Sequence, residues 1–270
     1  MSPANPTPER FERLCFFEDW YFRSVTAAAG ASGIPSLDQW DGAKFAPRVT
    51  GRVFRTDDGR RLAGFHIKAT RPSRGFVLVA HGNAMLAEHI MPALTSIKSA
   101  NLDVVLYDDR GYGRSEGTTR FLAMFADARS IFRQLTAEIG GHGFGYGLSQ
   151  GGIVLANALL SDIQCVRGVV IDGSPGDLPW YLCSSGFDPA HRVSTATLPG
   201  PALMVISGGR DQVISRNWMQ ALIGAAQERD AKVILRDDFS HPFQEPSESM
   251  LKERLDLIWG FFEERRNAKI

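Results

Sequence analysis

The chain has 270 residues with 30 basic and 30 acidic side chains, 44% hydrophobic residues, 27 glycines and 14 prolines. That composition excludes a disordered, collagenous or disulfide-stapled protein and leaves one large domain or two small ones. A formal net charge of zero supplies no long-range field for nucleic acid or an anionic membrane, so any partner has to be recognised locally.

The first residues carry prolines and acids before any apolar cluster, unlike the basic-then-apolar layout of a secretory signal. No apolar run approaches the roughly 18 residues that cross a bilayer, and the expectation is a cytoplasmic protein with no integral membrane segment. Cys15, Cys165 and Cys183 stand far apart with no C-x-x-C pair; they read as free thiols, mostly core filler, without zinc.

Thr7-Pro8 has the chemistry of a helix start, and Phe11, Leu14, Cys15, Tyr21, Phe22 and Val25 follow at helical spacing until Gly30. Residues 31–46 mix Gly, Pro, Ser and Asp and read as a surface loop. Residues 1–46 are therefore expected to be an N-terminal helix and loop extension, serving as added core or lid packing or else as a docking surface. Residues 48–56 and 61–69 flank Asp57-Asp58-Gly59, whose Asp-Gly pair favours a hairpin turn.

Beyond the hairpin, short continuous apolar runs at 75–80, 103–107, 143–146, 166–171, 202–207 and 232–236 alternate with helix-length segments near 84–100, 121–139, 150–160, 217–229 and 247–267. Strands apolar on both faces and separated by helices predict an α/β fold over 47–270. Its twisted sheet is mostly parallel, covered by helices on both faces, and opens with the antiparallel hairpin. The stretch 173–200 is too long for a simple connection and is expected to be a short lid over the strand ends.

Two Gly-x-Ser-x-Gly pentapeptides occur, at 113–117 and 147–151. Ser149 follows the strand at 143–146 directly and precedes a helical apolar run, which would raise its hydroxyl in a sharp turn; glycines two positions either side leave room for that turn. Ser115 sits in a glycine-rich loop and is the weaker candidate. A serine needs a histidine to take its proton and a carboxylate to orient that histidine. His241 follows the last strand and Asp211 the one before it, both at the carboxyl ends where ligands bind in an open α/β sheet. Asp172 is the rival acid and Asp177 a weaker one. His66, His89, His142 and His191 form no metal-ligand spacing. The glycines at 141–147 suggest a phosphate loop, but no Gly-Lys-Ser/Thr follows.

His81-Gly82-Asn83-Ala84, Tyr107-Asp108-Asp109-Arg110-Gly111-Tyr112-Gly113-Arg114-Ser115-Glu116-Gly117 and Gly147-Leu148-Ser149-Gln150-Gly151-Gly152 occur in the order found in the α/β-hydrolase superfamily. From about residue 50 onward the chain resembles its serine hydrolases, including the serine aminopeptidase S33 type. The resemblance implies a catalytic triad of Ser149, Asp211 and His241, with an oxyanion hole formed by the backbone N–H groups of Asn83 and Gln150. It makes the first pentapeptide a shaped loop and gives His81 a shaping role. Met85 and Asp109 depart from the pattern, and Met85 is expected to narrow the pocket mouth.

The implied activity is cleavage of a small-molecule acyl ester or thioester through an acyl-enzyme, with no metal or organic cofactor. An amidase or peptidase, a C–C bond hydrolase and a catalytically retired binding protein remain as alternatives. The apolar run Pro179-Trp180-Tyr181-Leu182-Cys183 with Phe187 favours an acyl or aromatic group. Neither the acyl-chain length nor the oligomeric state is legible in the residues.

Overall fold

A computed structural model describes residue 22 and residues 36–97, 101–160, 165–178, 186–196 and 200–267. The expected N-terminal helix, apart from Phe22, and the apolar run at 179–183 lie outside the described residues. In chain order the elements are α1 (Leu37–Trp40), β1 (Lys44–Ala46), β2 (Val49–Arg55), β3 (Arg61–Ile67), β4 (Gly75–Ala80), α2 (Ala87–Ser96), β5 (Asp103–Tyr107), α3 (Phe121–Ile139), β6 (His142–Leu148), α4 (Gln150–Leu159), β7 (Val166–Asp172), α5 (Pro189–Thr195), β8 (Ala202–Gly208), α6 (Gln220–Glu228), β9 (Lys232–Arg236) and α7 (Glu248–Asn267).

The strands form one nine-stranded sheet in the order β1-β2-β3-β5-β4-β6-β7-β8-β9. β1, β2, β3 and β5 pair antiparallel in succession, and every pair from β5 to β9 is parallel. After β4 the chain adds β5 on one side and then crosses to lay β6 on the other. The carboxyl ends of β4 and β6 therefore flank the crevice at a topological switch point.

Alternating side chains feed two cores. In β4, Phe76, Leu78 and Ala80 enter a cluster shared with α3, α4 and α6, whereas Val77 and Val79 enter one shared with α2 and α7. Burial of such side chains contributes about 1.5–3 kcal/mol each before entropy, which explains why β4 carries no polar residue. β6 divides its faces differently: Phe144, Tyr146 and Leu148 fill the α2/α7 side, and glycines alternate with them. A Cβ on Gly143 would lie 2.3 Å from Phe132 Cζ, and one on Gly145 would lie 2.7 Å from Leu159 Cδ1. These glycines admit the helices to the sheet. In the long helix α3, Phe121, Met124, Phe125, Ala128, Ile131, Phe132 and Leu135 form the buried stripe, and Gly140 ends it with φ 68°.

Two expectations need correction. Residues 31–46 are not simply a loop: α1 and β1 lie within them, and β1 extends the sheet by pairing with β2. The cause is tertiary, since the buried Trp40 donates its ring N–H to the Gly64 carbonyl at 2.8 Å. Cys165 is exposed, with φ 82°, and is not core filler. Met85 is partly buried against the α2/α7-side core.

The described ends of the segment 173–200 pack down on the helical layer. Phe187 meets Phe125 with ring centroids 5.1 Å apart, and its carbonyl accepts from Asn157 Nδ2 at 2.9 Å. Arg192 Nε of α5 donates to Asn157 Oδ1 at 2.6 Å. The buried Phe22 adds an edge-on contact with Phe121.

Candidate active site

Ser149 occupies the turn between β6 and α4 with φ 52° and ψ −120°, a left-handed conformation unusual for a residue with a side chain. The strain is held from all sides. Its N–H donates to the Asp172 carbonyl at 2.8 Å, and its own carbonyl accepts from Gly152 N–H at 3.0 Å. A Cβ on Gly147 would lie 2.4 Å from the Gly151 oxygen, and one on Gly151 would lie 2.0 Å from the Ala80 oxygen. Both glycines are required by close backbone approach, and the turn stands at the positive end of α4.

The segment after β4 abuts this turn, since a Cβ on Gly82 would lie 3.3 Å from Ser149 Cβ. Its shape comes from the loop after β5. His81 Nδ1 pairs with the Gly82 carbonyl at 2.8 Å, and the Asp109 N–H donates to His81 Nε2 at 3.2 Å. The two contacts tie the ring between the loops after β4 and β5, so His81 shapes the first of them. Tyr112 donates its hydroxyl to Asn83 Oδ1 at 2.8 Å, while the Ala84 N–H donates to the same oxygen at 3.0 Å. The Asn83 side-chain oxygen is thereby occupied in shaping the loop.

Asp211 and His241 are brought together after β8 and β9. His241 Nδ1 lies 2.8 Å from Asp211 Oδ2, and Asp211 Oδ1 accepts from the N–H groups of Val213 and Ile214, each at 2.8 Å. A carboxylate so engaged only accepts, which assigns the proton to Nδ1 and leaves Nε2 as a base. No hydrogen bond joins the Ser149 hydroxyl to His241 among the described residues; the end of β7 lies between the segments that carry them. There a Cβ on Gly173 would lie 2.6 Å from Pro242 Cδ and 3.2 Å from Asp211 Oδ2. A cavity of ≈ 500 Å³ is lined by Arg210, Asp211, Gln212, His241 and Gln244. A larger one of ≈ 880 Å³, between α2 and α7, touches none of the expected catalytic residues.

The main rival acid is otherwise engaged. Asp172, fully buried, bonds Arg254 Nη1 at 2.5 Å and the Tyr146 hydroxyl at 3.1 Å. Its burial raises its pKa, with Arg254 pulling against the rise. Asp177 offers its backbone carbonyl to the Trp218 ring N–H at 2.9 Å. His66 lies 2.6 Å from Asp103; burial alone would raise the Asp103 pKa, but this bond and the Ala69 N–H hold it below the usual value. Burial pushes Asp109 up to about 7, against the pull of His81. Among the described residues no His, Cys, Asp and Glu cluster has the arrangement of a metal site.

Two contributors escape a motif reading. Tyr112 clamps Asn83, although its place in the Arg-Gly-Tyr-Gly loop was a visible signal. Arg254 had a fainter one: a charge falling on the buried stripe of Leu255, Ile258, Trp259 and Phe262 in α7.

The fold recurs in solved structures. The esterase Pf2001 of Pyrococcus furiosus superposes with a TM-score of 0.66 over 86% of this chain and 99% of its own, at 17% identity. This is the α/β-hydrolase fold. A puromycin-hydrolyzing peptidase of Mycobacterium tuberculosis shares the α/β-hydrolase architecture with a TM-score of 0.64, 13% identity, and coverage of 82% of this chain and 40% of its own. In sequence, residues 71–199 match the family described as serine aminopeptidase, S33. The Escherichia coli O157:H7 protein YfhR is 26% identical over 204 residues, which is 68% of this chain and 70% of YfhR. Among the described residues no helix is long and apolar enough to cross a membrane.

Proposed function

We propose that this protein is a serine hydrolase that cleaves an ester or thioester bond through Ser149, His241 and Asp211. The observation that carries the reading is the Asp211–His241 hydrogen bond of 2.8 Å at strand ends beside a left-handed serine turn. His241 Nε2 takes the Ser149 proton as Oγ attacks the carbonyl carbon. The backbone N–H groups of Asn83 and Gln150 receive the developing oxyanion, each such donor contributing about 3 kcal/mol to the transition state. The imidazolium returns its proton to the leaving alcohol or thiol. Water, deprotonated by the same histidine, then releases the acid and restores the serine. Asp211 stays ionised throughout and orients the ring. The reaction as written calls for no metal or organic cofactor.

Hydrolysis of an amide is the second reading, favoured by the serine aminopeptidase match over residues 71–199. A fluorophosphonate probe tests the activated serine independently of substrate. Labelling of wild type and of Ser115→Ala, lost in Ser149→Ala, is the expected result; folded wild type that resists the probe overturns the reading in favour of a binding protein. Turnover of p-nitrophenyl acyl esters against aminoacyl p-nitroanilides then separates ester from amide chemistry.

A further inference from the structure

Helix α7 carries a guanidinium into the catalytic end of the sheet. Arg254 is fully buried. Its Nη1 donates to Asp172 Oδ1 and its Nη2 to the Ser240 carbonyl, both at 2.5 Å. Nε faces Glu245, and Cζ lies 4.4 Å from the centre of the Phe239 ring. Phe239, Ser240 and Glu245 all belong to the segment that bears His241. Asp172 in turn holds the other reacting group, because its backbone carbonyl accepts the Ser149 N–H at 2.8 Å. One side chain thus spans from the residue that fixes the serine turn to the residue immediately before the histidine.

Resting on the serine hydrolase reading above, we propose that Arg254, paired with Asp172, is a positioning residue that sets His241 against Ser149 for proton transfer. Stability is a poor reason for such a cluster, because burying a cation with two carboxylates carries a large desolvation penalty and neutral replacements are often as stable or more so. Geometry is the better reason. A guanidinium is a rigid planar fork that satisfies two acceptors in fixed directions, which an ammonium on a flexible stem does not reproduce. Here the two acceptors sit on the two segments that must keep register. Burial raises the Asp172 and Glu245 carboxyls, with Arg254 opposing in both cases, so the cation also keeps the cluster from losing its charge and its direction.

The test uses the full chain and a p-nitrophenyl ester, measuring kcat, KM and thermal unfolding for wild type, Arg254→Lys, and a charge-free variant combining Arg254→Met, Asp172→Asn and Glu245→Gln. The expected result is a fall in kcat of about 10²-fold, the effect of roughly an ångström of misplacement, with KM unchanged in both variants. The charge-free variant is expected to melt no lower than wild type. A purely structural cluster gives another pattern, with kcat per folded molecule unchanged, and that overturns the proposal. If Arg254→Lys does not fold, the charge-free variant decides: stable and slow supports the clamp, stable and fast or unfolded overturns it. Wild type that turns over no ester overturns the hydrolase reading and the clamp with it, whereas active wild type with equally active variants overturns the clamp alone.

Discussion

Ser115 and Ser149 are each the middle residue of a Gly-x-Ser-x-Gly pentapeptide, and they are almost equally buried, at 8% and 7% exposure. Their hydroxyls nevertheless have opposite fates. Ser115 Oγ donates to the Asp108 carbonyl at 2.7 Å and accepts from the Ala63 N–H at 3.0 Å, tying the loop after β5 to β3. The Ser149 hydroxyl has no hydrogen-bond partner among the described residues and sits on a strained turn at a helix start. A hydroxyl with both capacities used is a fastener; one held out by the backbone is available for chemistry. What distinguishes the two is the connection: β6 passes into α4 with no residue between except Ser149, whereas the first pentapeptide lies inside a loop.

The largest expected effect falls on the second pentapeptide alone. Ser149→Ala should lower kcat for an ester by about 10⁴-fold or more, and Asp211→Asn by a comparable factor. Ester kinetics check both, and a Ser115→Ala protein with the same loss would reverse the assignment. Next come the glycines. Gly151→Ala places a methyl 2.0 Å from the Ala80 oxygen, and denaturant unfolding should show a loss of about 3 kcal/mol. Gly117→Ala meets the left-handed penalty at φ 92°, about 1–2 kcal/mol.

Ser115→Ala should cost about 1–2 kcal/mol of stability with labelling by the fluorophosphonate intact, because it strands a buried donor and acceptor. A pH dependence is expected in the first loop. Burial raises Asp109 to about 7, against His81, so the folded chain keeps this proton to higher pH than the unfolded chain does. Stability from the group is complete below the usual carboxylate range and is lost as pH rises through about 7. Asp109→Asn should therefore gain about 2–3 kcal/mol relative to wild type on going from pH 5 to pH 8. Melts at the two pH values that shift equally would refute the effect.

Much of the sheet could be read in advance. The runs at Gly75–Ala80, Asp103–Tyr107 and Lys232–Arg236 and the helix Phe121–Ile139 have the expected bounds, because continuous apolar runs and a helical stripe are local signals with clear punctuation. The first turn of the helix expected from 84 was not legible: Ala84 has φ 54°, and α2 begins only at Ala87. There the backbone is set by the His81 and Tyr112 contacts, which come from another strand end. α5 was hidden in the same way, within a stretch whose Pro and Gly content reads as loop.

By itself, the sequence determined the α/β alternation, the order in which serine, acid and histidine arrive, and the glycines that a sharp turn demands. Each of these is written in neighbouring residues. Tertiary structure decided which acid meets His241, why β1 joins the edge of the sheet, and how Arg254 on the last helix comes to hold the ends of two segments far apart in the chain. Asp172 ends β7, Asp211 follows the adjacent β8, and the two are indistinguishable as residues; a guanidinium from α7 engages one and an imidazole the other. Those choices depend on which side chains packing brings into the same small volume, a property of the folded layers and not of any local stretch of chain.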